Sequence, residues 1–188
     1  MRENAGSALA GRLRNGGAPL GVLFSFMSGL YFRGKLSYAL AFAAPSAGVA
    51  EAYVITPGAG LVPSDSLVTL DWLHEMSAID VDPKDARYRD PLDRDSRILR
   101  QSAGVGCEVI LLGSIATPKY VGPLGEIFGE QLLFPAEFIG RGDMSRGGLM
   151  LRCAQTGKSL THIPVLSALR HGPRPPRLAP LSRTESVR

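Results

Sequence analysis

The stretch 107–133, CEVILLGSIATPKYVGPLGEIFGEQLL, shows how this chain is organised. It opens with a short apolar run at 107–112 and continues through a loop of small and hydroxyl side chains. It ends in PLGEIFGEQLL at 123–133, where apolar residues recur at helical spacing. A continuous apolar run followed by a helical pattern is typical of a strand and helix in a parallel sheet. The stretch therefore predicts a strand, a loop and a helix.

Two earlier parts of the chain repeat this order. The apolar runs LGVLFSFM and AYVIT predict strands at 20–27 and 52–56, and the helical patterns that follow them predict helices at 32–44 and 67–78. A further helix is predicted over 91–103, with Asp90 as its N-cap and Pro91 at its first position.

The pattern changes towards the end of the chain. LMLRCA at 149–154 and SLTHIPV at 159–165 flank the turn QTGK, which predicts an antiparallel hairpin with Gly147 and Gly148 at the bend leading into it. The predicted fold is α/β: a mostly parallel, Rossmann-like sheet flanked by helices, with this hairpin at its edge.

Positive charge is concentrated at the two ends of the chain. The formal net charge is +4, but segments 1–18 and 168–188 carry excess arginine while 19–167 is slightly acidic. The first segment is rich in glycine and alanine, and the last contains four prolines within 173–180. We therefore predict a flexible arm at 1–18, a single α/β domain at 19–167, and an extended Pro/Arg-rich tail at 168–188.

The composition also bears on the cellular compartment. The two cysteines are too few for a disulfide framework, which favours a reduced, cytoplasmic protein. The apolar run at 19–32 is shorter than the roughly 20 residues that span a bilayer, so no membrane association is expected.

A ligand site is expected where the predicted parallel strands end. Helix N-termini and free amides converge at that edge of an open α/β sheet. Small residues, hydroxyls and cations follow all three predicted strands, although tight turns require many of the same residue types. The candidate ligand-binding residues in these segments are Ser28, Arg33, Lys35, Thr56, Ser114, Lys119 and Tyr120.

The stretch EFIGRGDMSRGGLML at 137–151 supplies further candidates. Arg141 and Arg146 could clamp a phosphate or carboxylate, and Asp143 could accept hydrogen bonds from a sugar or base. In an enzyme, Asp143 would be the general base and thus the candidate catalytic residue. The alternative is that Asp143 caps a turn while both arginines are solvated.

No familiar cofactor or metal motif is complete. QTGKS at 155–159 lacks the first glycine of a phosphate-binding loop, because Arg152 stands at that position. The histidines are widely separated, so no metal site is predicted, and the cofactor is unknown.

The segment VITPGAGLVPSD at 54–65 resembles a strand and loop of the bacterial peroxide-stress DNA-binding protein family. It also resembles related α/β domains of tRNA base-modification enzymes. The segment 111–129 is similar in having a strand, a loop, a tyrosine and a Pro-Leu helix start. Ala59 stands where those families have tyrosine, and no helix-hairpin-helix pattern is present. The resemblance implies association with nucleic acid or a nucleobase.

These observations support three hypotheses about function. The first is an α/β protein, either an enzyme or a binding protein, that binds a nucleotide, nucleoside or sugar phosphate at the C-terminal edge of its sheet. The second is a non-catalytic nucleic-acid-associated or stress-response protein whose basic termini contact phosphates. The third is an adaptor whose Pro/Arg-rich tail is bound by a partner domain as an extended peptide.

Overall fold

The computed structural model describes residues 5–178. It consists mainly of helices, together with three small sheets. The helices are α1 (Ala5–Arg14), α2 (Leu20–Met27), α3 (Gly29–Phe42), α4 (Leu70–Ser77), α5 (Ala86–Ala103), α6 (Pro118–Phe128) and α7 (Asp143–Thr156). The strands are β1 (Ala18–Pro19), β2 (Tyr53–Thr56), β3 (Gly60–Pro63), β4 (Leu67–Val68), β5 (Val109–Ile110), β6 (Leu132–Pro135) and β7 (His162–Pro164).

The prediction of a Rossmann-like, mostly parallel sheet is wrong. Two of the sheets are antiparallel pairs, β1 with β4 and β2 with β3. The third sheet has the order β5-β6-β7, in which β6 is parallel to β5 and antiparallel to β7. Within the described residues, only β5 and β6 form a parallel pair, and α6 connects them.

The first predicted strand, 20–27, is helix α2. Its residues Leu20 and Leu23 are buried, while Val22, Phe26 and Met27 are exposed, which is helical spacing. A short apolar run does not distinguish a buried strand from a helix by periodicity alone, and here tertiary packing selects the helix.

The second predicted strand is β2, but it does not open a parallel unit. It pairs with β3 across the loop Pro57-Gly58-Ala59, with Thr56 opposite Gly60. Gly60 has a φ of 70°, and a Cβ there would overlap with the backbone of Pro91 and the carboxylate of Asp95. Glycine at this position lets the hairpin lie directly against α5.

The predicted hairpin over 149–165 is also wrong in its first half. Residues 149–154 belong to α7, and Gly147 and Gly148 lie inside that helix instead of at a bend. Gly157 ends α7 with a φ of 68°. The second half, 159–165, does contain strand β7, whose partner is β6.

The third predicted unit is correct in its order, a strand followed by a helix. β5 lies within 107–112, and α6 overlaps the predicted helix but begins and ends about five residues earlier, so β6 follows where helix was expected. Helix α5 begins before its predicted start, because Asp85 caps it through a bond from the Arg87 amide, and Pro91 lies inside the helix.

Two groups of buried side chains hold the elements together. The larger one lies among α3, α5, α6, α7 and β6, with Tyr88, Phe134, Phe138 and Met150 at its centre. The smaller one joins α1, β1, α2 and β4 through residues that include Leu9 and Leu20. Much of the expected arm 1–18 is thus helix α1 and strand β1, and 168–178 follows as the described part of the tail, without helix or strand.

Candidate functional site

The candidate site lies where helices α3 and α7 cross. At the crossing, Gly34 faces Gly147, and a Cβ on Gly34 would lie 2.6 Å from the carbonyl oxygen of Gly147. A Cβ on Gly147 would lie 2.8 Å from the carbonyl oxygen of Leu30. Two glycines therefore let the helix backbones meet, and the side chains around the crossing are brought close together.

The carboxyl ends of the parallel strands lead to the same place. The chain leaves β5 through the loop that carries Ser114 and enters α6, where Tyr120 lies. It leaves β6 through a 3-10 turn, Ala136–Phe138, and enters α7 at Asp143. Both exits thus lead into helices whose side chains lie near the crossing, whereas the described residues form no larger parallel sheet.

Five polar or charged side chains gather at this crossing. We call them the crossing cluster: Tyr31, Lys35, Tyr120, Asp143 and Arg146. Lys35 Nζ lies 4.1 Å above the centre of the Tyr31 ring, a cation–π contact between residues four apart on α3. The charges of Asp143 and Arg146 shift the pKa values of both Tyr31 and Lys35, and Tyr120 contributes to raising the pKa of Tyr31. The structure therefore brings together four residues predicted from sequence, namely Lys35, Tyr120, Asp143 and Arg146.

Burial dominates the proton equilibria in the crossing cluster. It lowers the pKa of Lys35, because the charged ammonium loses water; Asp143 opposes this shift and Arg146 adds to it. Burial also raises the pKa of Tyr31 and of Tyr120. Arg146 partly offsets the shift in the pKa of Tyr31, yet the buried Tyr31 hydroxyl has no hydrogen-bond partner of good geometry among residues 5–178.

The Arg146 side chain mainly stabilises the protein structure around Phe138. Its Nε and Nη2 donate to the carbonyl oxygen of Phe138 at 3.2 and 3.0 Å, and its guanidinium lies 5.3 Å from the centre of the Phe138 ring. Its Nη1 is 4.0 Å from Asp143 Oδ1. Arg146 thereby ties the 3-10 turn after β6 to the first turn of α7.

Arg141 connects three parts of the chain. Its Nε donates to the carbonyl oxygen of Glu137 at 3.0 Å, and its Nη1 donates to Ser145 Oγ at 3.2 Å. The same Nη1 makes a longer bond of 3.4 Å to the carbonyl oxygen of Pro176 in the tail. Arg141 is therefore held beside the start of α7, with the tail on its other side.

An open cleft lies in front of the first turn of α7 and is called here the arginine cleft. Its volume is about 720 Å³. The N-cap of α7 is Gly142, which has no side chain to accept a bond from the first amides of the helix. The cleft is lined by Arg141, Gly142, Asp143, Met144 and Ser145 on one side and by residues 174–178 on the other.

Arg174 and Arg177 were not among the candidate site residues, although both line this cleft and are exposed. From the sequence, both were assigned only to the basic tail, as contacts to nucleic-acid phosphates or to a partner domain. Their proline neighbours were the available signal, because proline stiffens the backbone and so lets a tail hold a defined path over a surface.

The other predicted residues lie outside the crossing cluster and the arginine cleft. Ser28 is exposed between α2 and α3, and the Arg33 side chain is exposed with no hydrogen bond or ion pair to the described residues. The buried Thr56 hydroxyl donates to the carbonyl oxygen of Gly60 inside the hairpin. Ser114 Oγ accepts from the amide of Ala116, and Lys119 is exposed, while its carbonyl oxygen accepts from Tyr88.

A second polar group, unforeseen from sequence, lies behind α7. Tyr38 Oη accepts from the amide of Leu160 at 2.9 Å and lies 3.0 Å from His162 Nε2. Burial lowers the pKa of His162, opposed by Glu108 and Glu137. Burial also raises the pKa of the Cys153 thiol. The lone residues Tyr38 and His162 gave no motif because 124 positions separate them.

In residues 5–178, His, Cys, Asp and Glu side chains form no group of three that could hold a metal ion. No helix within that range has the length and apolar character needed to cross a bilayer. Searches of protein-family models, characterised proteins and solved structures gave no match to the chain. The resemblance to peroxide-stress DNA-binding proteins thus stays a prediction.

Proposed function

We propose that this chain binds a small anionic ligand, a nucleotide or a sugar phosphate, in the arginine cleft. One observation carries the proposal: the uncapped first turn of α7 shares one cleft with Arg141, Arg174 and Arg177. Free amides and the positive end of a helix dipole favour an anion. A guanidinium group can donate two parallel hydrogen bonds to phosphate oxygens.

The size and the edges of the cleft agree with a ligand larger than phosphate. A volume of about 720 Å³ lies within the range of small-molecule sites. Asp143, in the first turn of α7, has a mostly exposed side chain that would accept hydrogen bonds from sugar hydroxyls. Its carboxylate would also be the general base if the bound ligand reacts.

The placement differs from the one expected from sequence. A long parallel sheet edge is absent from the described residues, so the proposed ligand is bound by a helix N-terminus and a tail. Lys35 and Tyr120 do not line this cleft; they lie in the crossing cluster, which shares Asp143 with it.

A thermal-shift titration tests the proposal with inorganic phosphate, nucleoside monophosphates and sugar phosphates as probes. A ligand held at about 100 times its dissociation constant adds roughly 2.7 kcal/mol to the free energy of unfolding. We expect the double variant Arg174→Gln/Arg177→Gln to lose most of this gain. The matched control, Arg12→Gln/Arg14→Gln, removes the same charge from exposed positions on α1 and should keep it.

Equal loss of stabilisation in both double variants would reject the cleft as the site. So would the absence of a shift with every probe.

The alternative function is binding of nucleic acid through the basic termini. The exposed side chains of Arg12, Arg14, Arg174 and Arg177 favour it, because they are free to contact phosphates along a strand. In that case an oligonucleotide would bind with a steep dependence on salt, and both double variants would weaken it. Small phosphates would then give no shift.

A further inference from the structure

The start of the tail is seated on the protein in a defined way. Residues 171–178 form neither helix nor strand, and Pro173, Pro175 and Pro176 lie among them. Because proline fixes φ and forces the preceding residue into the extended region, residues 172–176 are held extended. We call residues 172–178 the tail segment.

One side of the tail segment faces the protein. Pro175 and Leu178 are half-buried, whereas Arg174, Pro176 and Arg177 are exposed. A separation of three residues is one turn of a polyproline II helix, so side chains at this spacing lie on the same side. The two arginines point away from the contact and are free for the arginine cleft.

The surface beneath the segment is made of Ile139, Gly140, Arg141 and Gly148, and is called here the tail groove. A Cβ at Gly140 would overlap with the carbonyl oxygen of Pro173, so the tail backbone lies directly on that glycine. A Cβ at Gly148 would be 3.7 Å from Leu178 Cδ1, which places the leucine against α7. Arg141 adds the bond to the carbonyl oxygen of Pro176.

We propose that the tail groove is a binding site for an extended, proline-rich peptide of a partner protein, and that the chain's own tail segment occupies it in the absence of that partner. The features that hold the tail do not depend on its covalent attachment: backbone contact at a glycine, one carbonyl bond to an arginine, and an aliphatic side chain on α7. A preformed polyproline II segment loses little conformational entropy on binding, which suits such recognition.

The partner must displace a tethered competitor. A segment tethered by a short linker has an effective concentration on the order of mM, so the attached tail competes strongly with a free peptide. Partner binding would therefore release Arg174 and Arg177 from the arginine cleft. The groove itself does not depend on the proposed anion, because its contacts involve neither of these side chains.

The test uses full-length chains and a labelled peptide with the sequence of residues 171–178. Gly172→Val should release the tail, because a Cβ at Gly172 would lie 2.6 Å from Ile139 Cγ2, and it changes no residue of the groove itself. We expect fluorescence anisotropy to show that this variant binds the peptide at least about tenfold more tightly than the wild type. A peptide with alanine at its three proline positions, which keeps the charge, should bind more weakly.

A matched pair of glycine variants locates the peptide. In the Gly172→Val background, Gly140→Ala should abolish binding, whereas Gly157→Ala should not. Both glycines have positive φ, 73° and 68°, so both substitutions strain the backbone, but a Cβ at Gly157 meets no atom within 4 Å. Equal effects of the two substitutions would overturn the proposal.

Trypsin cleavage of the Arg177–Leu178 bond provides the second measurement. Cleavage should be faster in Gly172→Val and in Gly140→Ala than in the wild type and in Gly157→Ala. Unchanged cleavage in all variants would show that the tail is not held in the groove, and faster cleavage in Gly172→Val without peptide binding would equally overturn the proposal. Concentration-dependent dimerisation of the wild type that requires Gly140 would identify the partner as a second copy of this chain.

Discussion

Arg146 shows how burial changes the use of a residue that looks like a ligand clamp in sequence. Its side chain is only 14% exposed, and it satisfies the carbonyl oxygen of Phe138 at the end of a 3-10 turn. From the sequence, Arg146 was expected to clamp a ligand or to be solvated, and this structural role was not predicted. The reason is that the acceptor is a backbone atom, which any residue type provides.

Replacing Arg146 by glutamine is therefore expected to destabilise the fold. The substitution removes two hydrogen bonds that a charged donor makes to the Phe138 carbonyl oxygen, which keeps only the bond from the Arg141 amide, and this loss should cost about 1–3 kcal/mol. Urea denaturation measures the change in the free energy of unfolding. Arg152→Gln is the control on the same helix, because the Arg152 side chain makes no hydrogen bond or ion pair with the described residues, and it should change stability by less than about 0.5 kcal/mol.

His162 predicts a dependence of stability on pH. Burial lowers its pKa in the folded state below the ordinary value of 6.5, so the unfolded chain binds the proton more readily. The stability present above pH 6.5 is then lost as the pH falls from 6.5 through the lowered value. Urea unfolding at pH 7.5 and pH 5.5 should show a smaller loss for His162→Gln than for the wild type.

The same substitution at the exposed His74 on α4 is the control for that measurement. If His74→Gln reduced the pH dependence as much as His162→Gln, burial of His162 would not be its cause.

At the scale of elements, the crossing of α3 and α7 determines where the polar side chains meet. Glycine is unfavourable inside a helix, and Gly147-Gly148 therefore suggested a turn. The structure resolves this conflict at Gly147, where any side chain would collide with α3. Glycine at position 147 lowers the intrinsic stability of α7, but it permits close contact between α3 and α7.

Substitution by alanine separates the two effects. Gly147→Ala should destabilise the protein by about 1–3 kcal/mol, because its Cβ would overlap with the backbone of Leu30 and Tyr31. At the next position, the Cβ introduced by Gly148→Ala would make only an ordinary van der Waals contact. This substitution should therefore stabilise the helix by about 0.5–1 kcal/mol. Chemical denaturation of the two variants gives the comparison. Changes of the same sign would mean that the helices do not cross at Gly147.

Elements with a local signal were predicted more reliably than those without one. Helices α3 and α4 follow from apolar spacing, and β2 and β5 from short apolar runs next to loops. Helix α2 and the first half of the predicted hairpin failed, because short apolar segments fit either a strand or a helix until their neighbours are known. β6 was missed because it continues an apolar pattern that also suits the end of a helix.

At the scale of the molecule, helix α1 contributes to the smaller core. Leu9 on α1 is 8% exposed and packs with residues of β1 and α2. We expect Leu9→Ala to cost about 2–4 kcal/mol in the free energy of unfolding, since it deletes buried methyl groups. Val105→Ala, at a position 98% exposed, is the control. An unchanged midpoint for Leu9→Ala would instead support the flexible arm predicted for 1–18.

Several properties of this protein follow from the sequence alone. Residue types alone give the chain its charged ends and its extended, proline-rich tail. They also give the segments 113–120 and 137–151 their small, hydroxyl and charged side chains. The convergence of Lys35, Tyr120, Asp143 and Arg146 depends on how α3 and α7 pack, and the position of the tail depends on its contacts with Gly140 and Arg141. Side-chain volume at two glycines, far apart in the chain, decides that packing, and a pattern of neighbouring residues carries no record of such a contact.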